Sequence, residues 1–128
     1  MAQIQIRQNS AQTENFSLDQ GSDVSIDLYL DNADSTPKNL AGFGVQGTIK
    51  THLDAVDSDD ITIFSYTLVD PINGQVSLSL SSTQTANLSS RRRYIYDVEL
   101  MHTDLDSGLL MYERILQGII TVVPSVTN

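Results

Sequence analysis

The chain contains no cysteine and no tryptophan, and aromatic residues make up only 6% of it. Without cysteine there is no disulfide, no zinc–thiolate site and no thiol nucleophile, so the fold must rest on packing and backbone hydrogen bonds. Basic residues are scarce as well: seven Lys and Arg stand against sixteen Asp and Glu, a net charge of -9. The carboxylates run along the whole chain, from Glu14 to Glu113. A diffuse acidic surface repels nucleic acid, whose affinity for proteins is largely phosphate neutralisation by Lys and Arg. It also argues against an anionic membrane surface, and it favours solubility before any assembly. No stretch approaches the roughly 20 apolar residues of a membrane-spanning helix. Met1–Ser10 has no apolar signal core, so no secretory signal is expected, and the Asn15-Phe16-Ser17 and Asn87-Leu88-Ser89 triplets therefore carry no glycosylation argument.

What the chain does have is alternation. Val24, Ile26, Leu28 and Leu30 alternate with Ser25, Asp27 and Tyr29. Val76, Leu78 and Leu80 alternate with serines; Tyr94, Tyr96, Val98 and Leu100 share one parity, as do Leu116, Gly118, Ile120 and Val122. Successive side chains of a strand point to opposite sides, so each run reads as a strand with one buried face. Asp31–Pro37, Asp57–Asp60, Asp70–Gly74 and Asp104–Gly108 are the turns between them. The strands expected are about 2–8, 13–18 with 23–30, 44–53, 61–69, 75–80, 92–103 and 109–123. At 128 residues this is one domain, and short strands at this spacing predict a sandwich or barrel.

The expected fold is all-β: a single immunoglobulin-like β-sandwich of about seven to eight antiparallel strands, with at most one short helical turn near 82–88. Ser82 or Thr83 is the expected cap of that turn. Tyr94 or Tyr96 is placed to anchor the corner ahead of the penultimate strand. Residues 21–124 make the sandwich. Residues 1–20, polar and rich in Gln, Asn and Ser, are either an edge strand or an arm that orders on a partner; 125–128 form a short tail.

Motifs that might carry chemistry are few. Gly42-Phe43-Gly44-Val45-Gln46-Gly47 matches the dinucleotide-binding spacing. That site needs a helix directly after the loop to meet the pyrophosphate. Here Thr48-Ile49-Lys50-Thr51 follows, which is β-branched and strand-like, so a turn and strand are expected. Asp54, Asp57, Asp59 and Asp60 share one loop without calcium-loop spacing, and with Asp104 and Asp106 they read as solvated acids. His52 and His102 are the only near-neutral bases, and neither has a nucleophile motif beside it. No catalytic residue, metal site or cofactor is expected. Arg91, Arg92 and Arg93 form the only basic run. They read either as a solvated strand start or as a patch that docks an acidic neighbouring subunit, where guanidinium forks meet carboxylates.

Several segments resemble one family. Asp70–Leu80, Thr83-Gln84-Thr85 with Leu88, and above all Arg93-Tyr94-Ile95-Tyr96-Asp97-Val98-Glu99-Leu100 are similar to segments of small virion structural proteins of tailed phages, notably myoviruses of cyanobacteria. The last of these is followed by an Asp/Ser/Gly loop and then Arg114–Thr127. Asn39-Leu40-Ala41-Gly42-Phe43 is similar to a turn of the baseplate upper protein N-terminal domain. The resemblance spans about residues 20–127. The chain departs from it in having three arginines where one basic residue is usual, and a more acidic loop at 54–60. It implies a non-enzymatic virion component, assembled in the bacterial host cytoplasm, that contacts other virion structural proteins and forms a homo-oligomer or multicopy assembly. A tail, baseplate or neck position is expected first and capsid decoration second. A virion carbohydrate-binding module is a further alternative, with Tyr29, Tyr66 and Tyr112 as the tyrosines to consider.

Overall fold

Alternating side chains become buried faces in the computed structural model, which describes residues 2–51 and 62–124. Among the described residues, ten strands run in the order β1 (Ala2–Gln8), β2 (Gln12–Thr13), β3 (Phe16–Asp19), β4 (Val24–Leu30), β5 (Gly44–Lys50), β6 (Thr62–Ile63), β7 (Ser65–Asp70), β8 (Gln75–Leu80), β9 (Arg93–Thr103) and β10 (Leu110–Val123). One sheet has the order β1-β4-β8-β7; the other has β2-β10-β9-β5-β6, with β3 also on β10. The two form an all-β, immunoglobulin-like sandwich. Ile26, Leu28 and Leu78 from the first sheet are fully buried, as are Ile49, Val98, Leu100, Leu116 and Ile120 from the second. Each such residue contributes roughly 1.5–3 kcal/mol by leaving water.

The pairings differ from an all-antiparallel expectation at one place. β1 lies parallel to β4, and β2 and β3 lie parallel to β10. The N-terminal segment is thus no free arm: it forms the edge of one sheet and then crosses to the edge of the other. Parallel neighbours need a crossover rather than a hairpin, so no turn signature marks them in the sequence. Side chains on the outer face hold β1 in register. Arg7 donates to both carboxylate oxygens of Asp31 at 3.0 Å and lies over the Tyr29 ring, while Gln3 donates to Asp27 at 3.1 Å.

The link between β2 and β3, both on the edge of the second sheet, is held by hydrogen bonds from β9 and β10. The Tyr96 hydroxyl donates to the Glu14 carbonyl at 2.6 Å, between β2 and β3. Asn15 accepts the Ile119 N–H at 2.8 Å, and the Glu14 N–H donates to Gln117. Burial, with a smaller contribution from the Glu14 carboxylate, pushes the Tyr96 phenol above its ordinary value. Because the folded value is the higher one, the stabilisation is present below the unfolded value, about 10, and is lost as pH rises above it. Tyr96→Phe should cost about 1–2 kcal/mol at neutral pH and flatten the alkaline fall in stability. Urea denaturation from neutral to strongly alkaline pH tests this; identical curves for the two proteins would remove the latch.

The helical turn is α1 (Ser82–Ala86), and its cap is Ser81 rather than Ser82 or Thr83. The Ser81 hydroxyl accepts the Gln84 N–H at 3.2 Å, and the Gln84 side chain accepts the Ser81 N–H at 2.8 Å. This reciprocal box needs a Gln or Glu three residues after the cap, and only Ser81 has one. The Gly42–Gly47 motif opens a strand, not a helix: Gly42 turns with φ +83° and β5 begins at Gly44. Gly47 instead makes room for the Phe64 ring.

Candidate assembly surfaces

The longest hairpin of the sandwich, β9 with β10, displays a different surface at each end. β9 is eleven residues long from Arg93 to Thr103, which spans roughly 33 Å at strand rise.

At one end, α1 leads into the tight turn that starts β9. Thr85 is fully buried and donates to the Ser22 carbonyl at 2.8 Å, and Gln84 donates to the Ile63 carbonyl at 2.9 Å. Leu88 fills the core beneath the turn. The Tyr94 hydroxyl accepts the Ser89 N–H at 2.7 Å, so the corner tyrosine is Tyr94, while Tyr96 holds the β2–β3 link. Ser89 in turn accepts the Arg91 and Arg92 N–H groups. The corner therefore holds Arg91, Arg92 and Arg93 outward, and all three are exposed. Elsewhere Arg7 pairs with Asp31, Lys38 with Glu113 and Arg114 with Asp97. Among the described residues, the three guanidinium groups of the run have no ion-pair partner.

At the other end the hairpin extends past the body of the sandwich. The Asp104–Gly108 turn is closed by its own groups: the Asp104 N–H donates to Leu109, the Gly108 N–H to Asp104, and the Ser107 hydroxyl to the Asp104 carboxylate at 2.9 Å. The Ser107 hydroxyl, with the Asp106 N–H, holds the Asp104 carboxyl below its ordinary value, so it stays ionised at neutral pH. Leu105 is 97% exposed, and Leu109, Leu110, Met111 and Tyr112 are exposed with it. On its outer side β10 meets β2 only from Leu116 onward. Among the described residues, no strand covers that edge from Leu110 to Arg114. A β-bulge lies between Arg114 and Leu116, and the Gln8 side chain takes the Ile115 carbonyl there. The bulge lies where the part of the strand covered by β2 begins.

This apolar end was not among the sites the residue patterns single out. Its signal is nonetheless present: Leu109-Leu110-Met111-Tyr112 breaks the period of two. A half-buried strand cannot hide four consecutive apolar residues on one face.

The remaining candidates do not come together. His102 stacks on Phe43 at 4.7 Å, and its Nδ1 has no hydrogen-bond partner. It borders an open groove of 650 Å³ shared with Gly42, Thr103 and Asp104. Tyr29 is covered by Arg7, and Tyr66 and Tyr112 make no ring contact with each other or with it. His52 and Asp54, Asp57, Asp59 and Asp60 lie outside the described residues, as does the 125–128 tail. Among the described residues, no group of three or more His, Asp or Glu is placed to hold a metal ion.

The sequence matches no known protein family and no curated protein. Among solved structures, one chain in the structure of PbICP-C in complex with falcipain-2 aligns over 98% of this chain and 100% of its own, at 12% identity and a TM-score of 0.40. A likeness that distant carries no statement about function.

Proposed function

We propose that the chain is a non-enzymatic structural subunit of a bacteriophage particle, a tail, baseplate or neck component that works by docking to neighbouring subunits. The observation that carries this reading is the start of β10, where, among the described residues, a main-chain edge without a covering strand lies beside five exposed apolar side chains. Soluble domains blunt such edges unless another chain covers them. An extended segment of a neighbour can add there as a further strand, its main chain supplying affinity and its side chains specificity. The second support is the resemblance over residues 20–127, whose strongest segment is β9 itself. The reading is non-enzymatic because the sequence holds no nucleophile motif beside either histidine, and the stacking of His102 on Phe43 with its Nδ1 unbonded lends a general-base role no support.

Immunogold labelling of intact purified particles, with mass spectrometry of the same particles, tests the proposal. Label on the tail tip or collar is the expected result. Label spread over the head would replace the tail position with capsid decoration. Absence of the chain from the particle would overturn the reading altogether.

The arginine run gives a narrower prediction. Replacing Arg91, Arg92 and Arg93 together with Gln should leave monomer stability within about 0.5 kcal/mol of wild type, since all three are exposed. Incorporation into particles should fall. Particles that assemble normally with the triple change would remove the docking role of the run.

A further inference from the structure

We propose that successive copies of this chain dock head to tail, the Arg91–Arg93 end of one copy seating on the Asp104–Tyr112 hairpin tip of the next. The inference rests on the reading of the chain as an assembly subunit and names its first partner, a second copy.

Three observations lead there. First, each end is incomplete on its own. Among the described residues, one end carries three guanidinium groups without an ion-pair partner; the other carries Leu105, Leu109 and Leu110 exposed beside Asp104 and Asp106. Secondly, one molecule cannot bring its own ends together, because the rigid β9–β10 ladder holds them roughly 33 Å apart. Thirdly, charge restricts how two copies approach. With a net charge of -9, most faces of one copy repel most faces of another. The arginine run is the exception, and it complements a tip whose carboxylates include Asp104 and Asp106. Arginine suits both halves of that tip, since its aliphatic stem covers apolar surface while its planar fork pairs with carboxylates.

A contact between two different patches is heterologous, so it propagates: it closes into a ring if the rotation allows and otherwise continues as a stack. That property gives the test. Sedimentation velocity of the purified chain should show average mass rising with concentration. Raising salt from about 0.1 M to about 1 M shortens the screening length from about 10 Å to about 3 Å and should weaken the association at least about tenfold. Two variants, Arg91→Glu/Arg92→Glu/Arg93→Glu and Leu105→Ser/Asp106→Ser/Leu109→Ser, should each be folded by circular dichroism and monomeric. Their equimolar mixture should form a dimer and nothing larger, because it contains one intact run and one intact tip per pair.

A wild-type chain that is monomeric at every concentration, or a mixture that stays monomeric, overturns the proposal. So does association that ignores salt, or a dimer that both variants retain. Any of these leaves the particle-labelling test standing, and label on particles beside a monomeric chain would mean that the two ends meet other subunits.

Discussion

Val98→Asp and Ile120→Asp should each abolish cooperative unfolding, whereas Ile119→Asp, one residue out of phase with Ile120, should leave the protein folded. Val98 and Ile120 are 0% exposed; Ile119 is 38% exposed on the outer face of the same sheet. Val98 lies between Gly47 and Leu116 on its neighbouring strands, and Ile120 lies opposite Tyr94. A carboxylate at either position would meet only apolar side chains. Protonation relieves part of the cost, but the neutral acid is still buried without a partner and the lost packing is not restored. Total stability of such a domain is about 5–15 kcal/mol, and a buried unpaired charge is among the few single changes that remove 4–5 kcal/mol or more. Near-ultraviolet circular dichroism with a thermal melt distinguishes the outcomes. Wild-type melting of both core variants would mean that the strand faces are assigned the wrong way round.

The next largest effect is expected at Gly118. A Cβ built there would overlap the Glu14 carbonyl oxygen, lie 2.7 Å from the carbonyl carbon and come within 3.0 Å of the Asn15 side chain. Those atoms are backbone, or are tied to backbone by the Ile119 N–H, so no side chain can rotate away. Gly118→Ala should therefore push the 14–15 segment off β10, breaking the Tyr96 and Asn15 hydrogen bonds together. The expected loss is about 3 kcal/mol, at the upper end for one added carbon in a packed site. Hydrogen exchange should localise it, with the amides of Glu14 and Ile119 losing protection while the β4–β8 ladder keeps its own. Unchanged stability and unchanged protection in Gly118→Ala would show that the β2–β3 link does not press on β10.

The strands themselves were legible because their signal is local. A period of two needs only neighbouring residues, and Val24–Leu30, Val76–Leu80 and Tyr94–Leu100 each keep apolar residues at every second position. Turn chemistry was legible for the same reason: at Gly74, with φ +73°, and at the Asp104–Gly108 turn, the residue types state the backbone they require. The unusual arginine run was visible too, as was the scarcity of catalytic groups. The cap of α1 was misplaced by one residue or more, since three consecutive hydroxyl residues offer equal caps until Gln84 selects Ser81.

What the sequence by itself determined is therefore an all-β chain with assigned faces, turns and charge, all properties carried by residues a few positions apart. Tertiary structure alone decided the parallel edges of β1, β2 and β3, the pairing of Tyr96 with Glu14 across 82 positions, and the exposure of the β9–β10 tip. Each depends on which strand lies beside which. A crossover leaves no periodic trace, and an apolar residue reads the same whether a neighbour covers it or not. Only the sheet order shows that, among the described residues, β10 begins before the first residue that β2 covers.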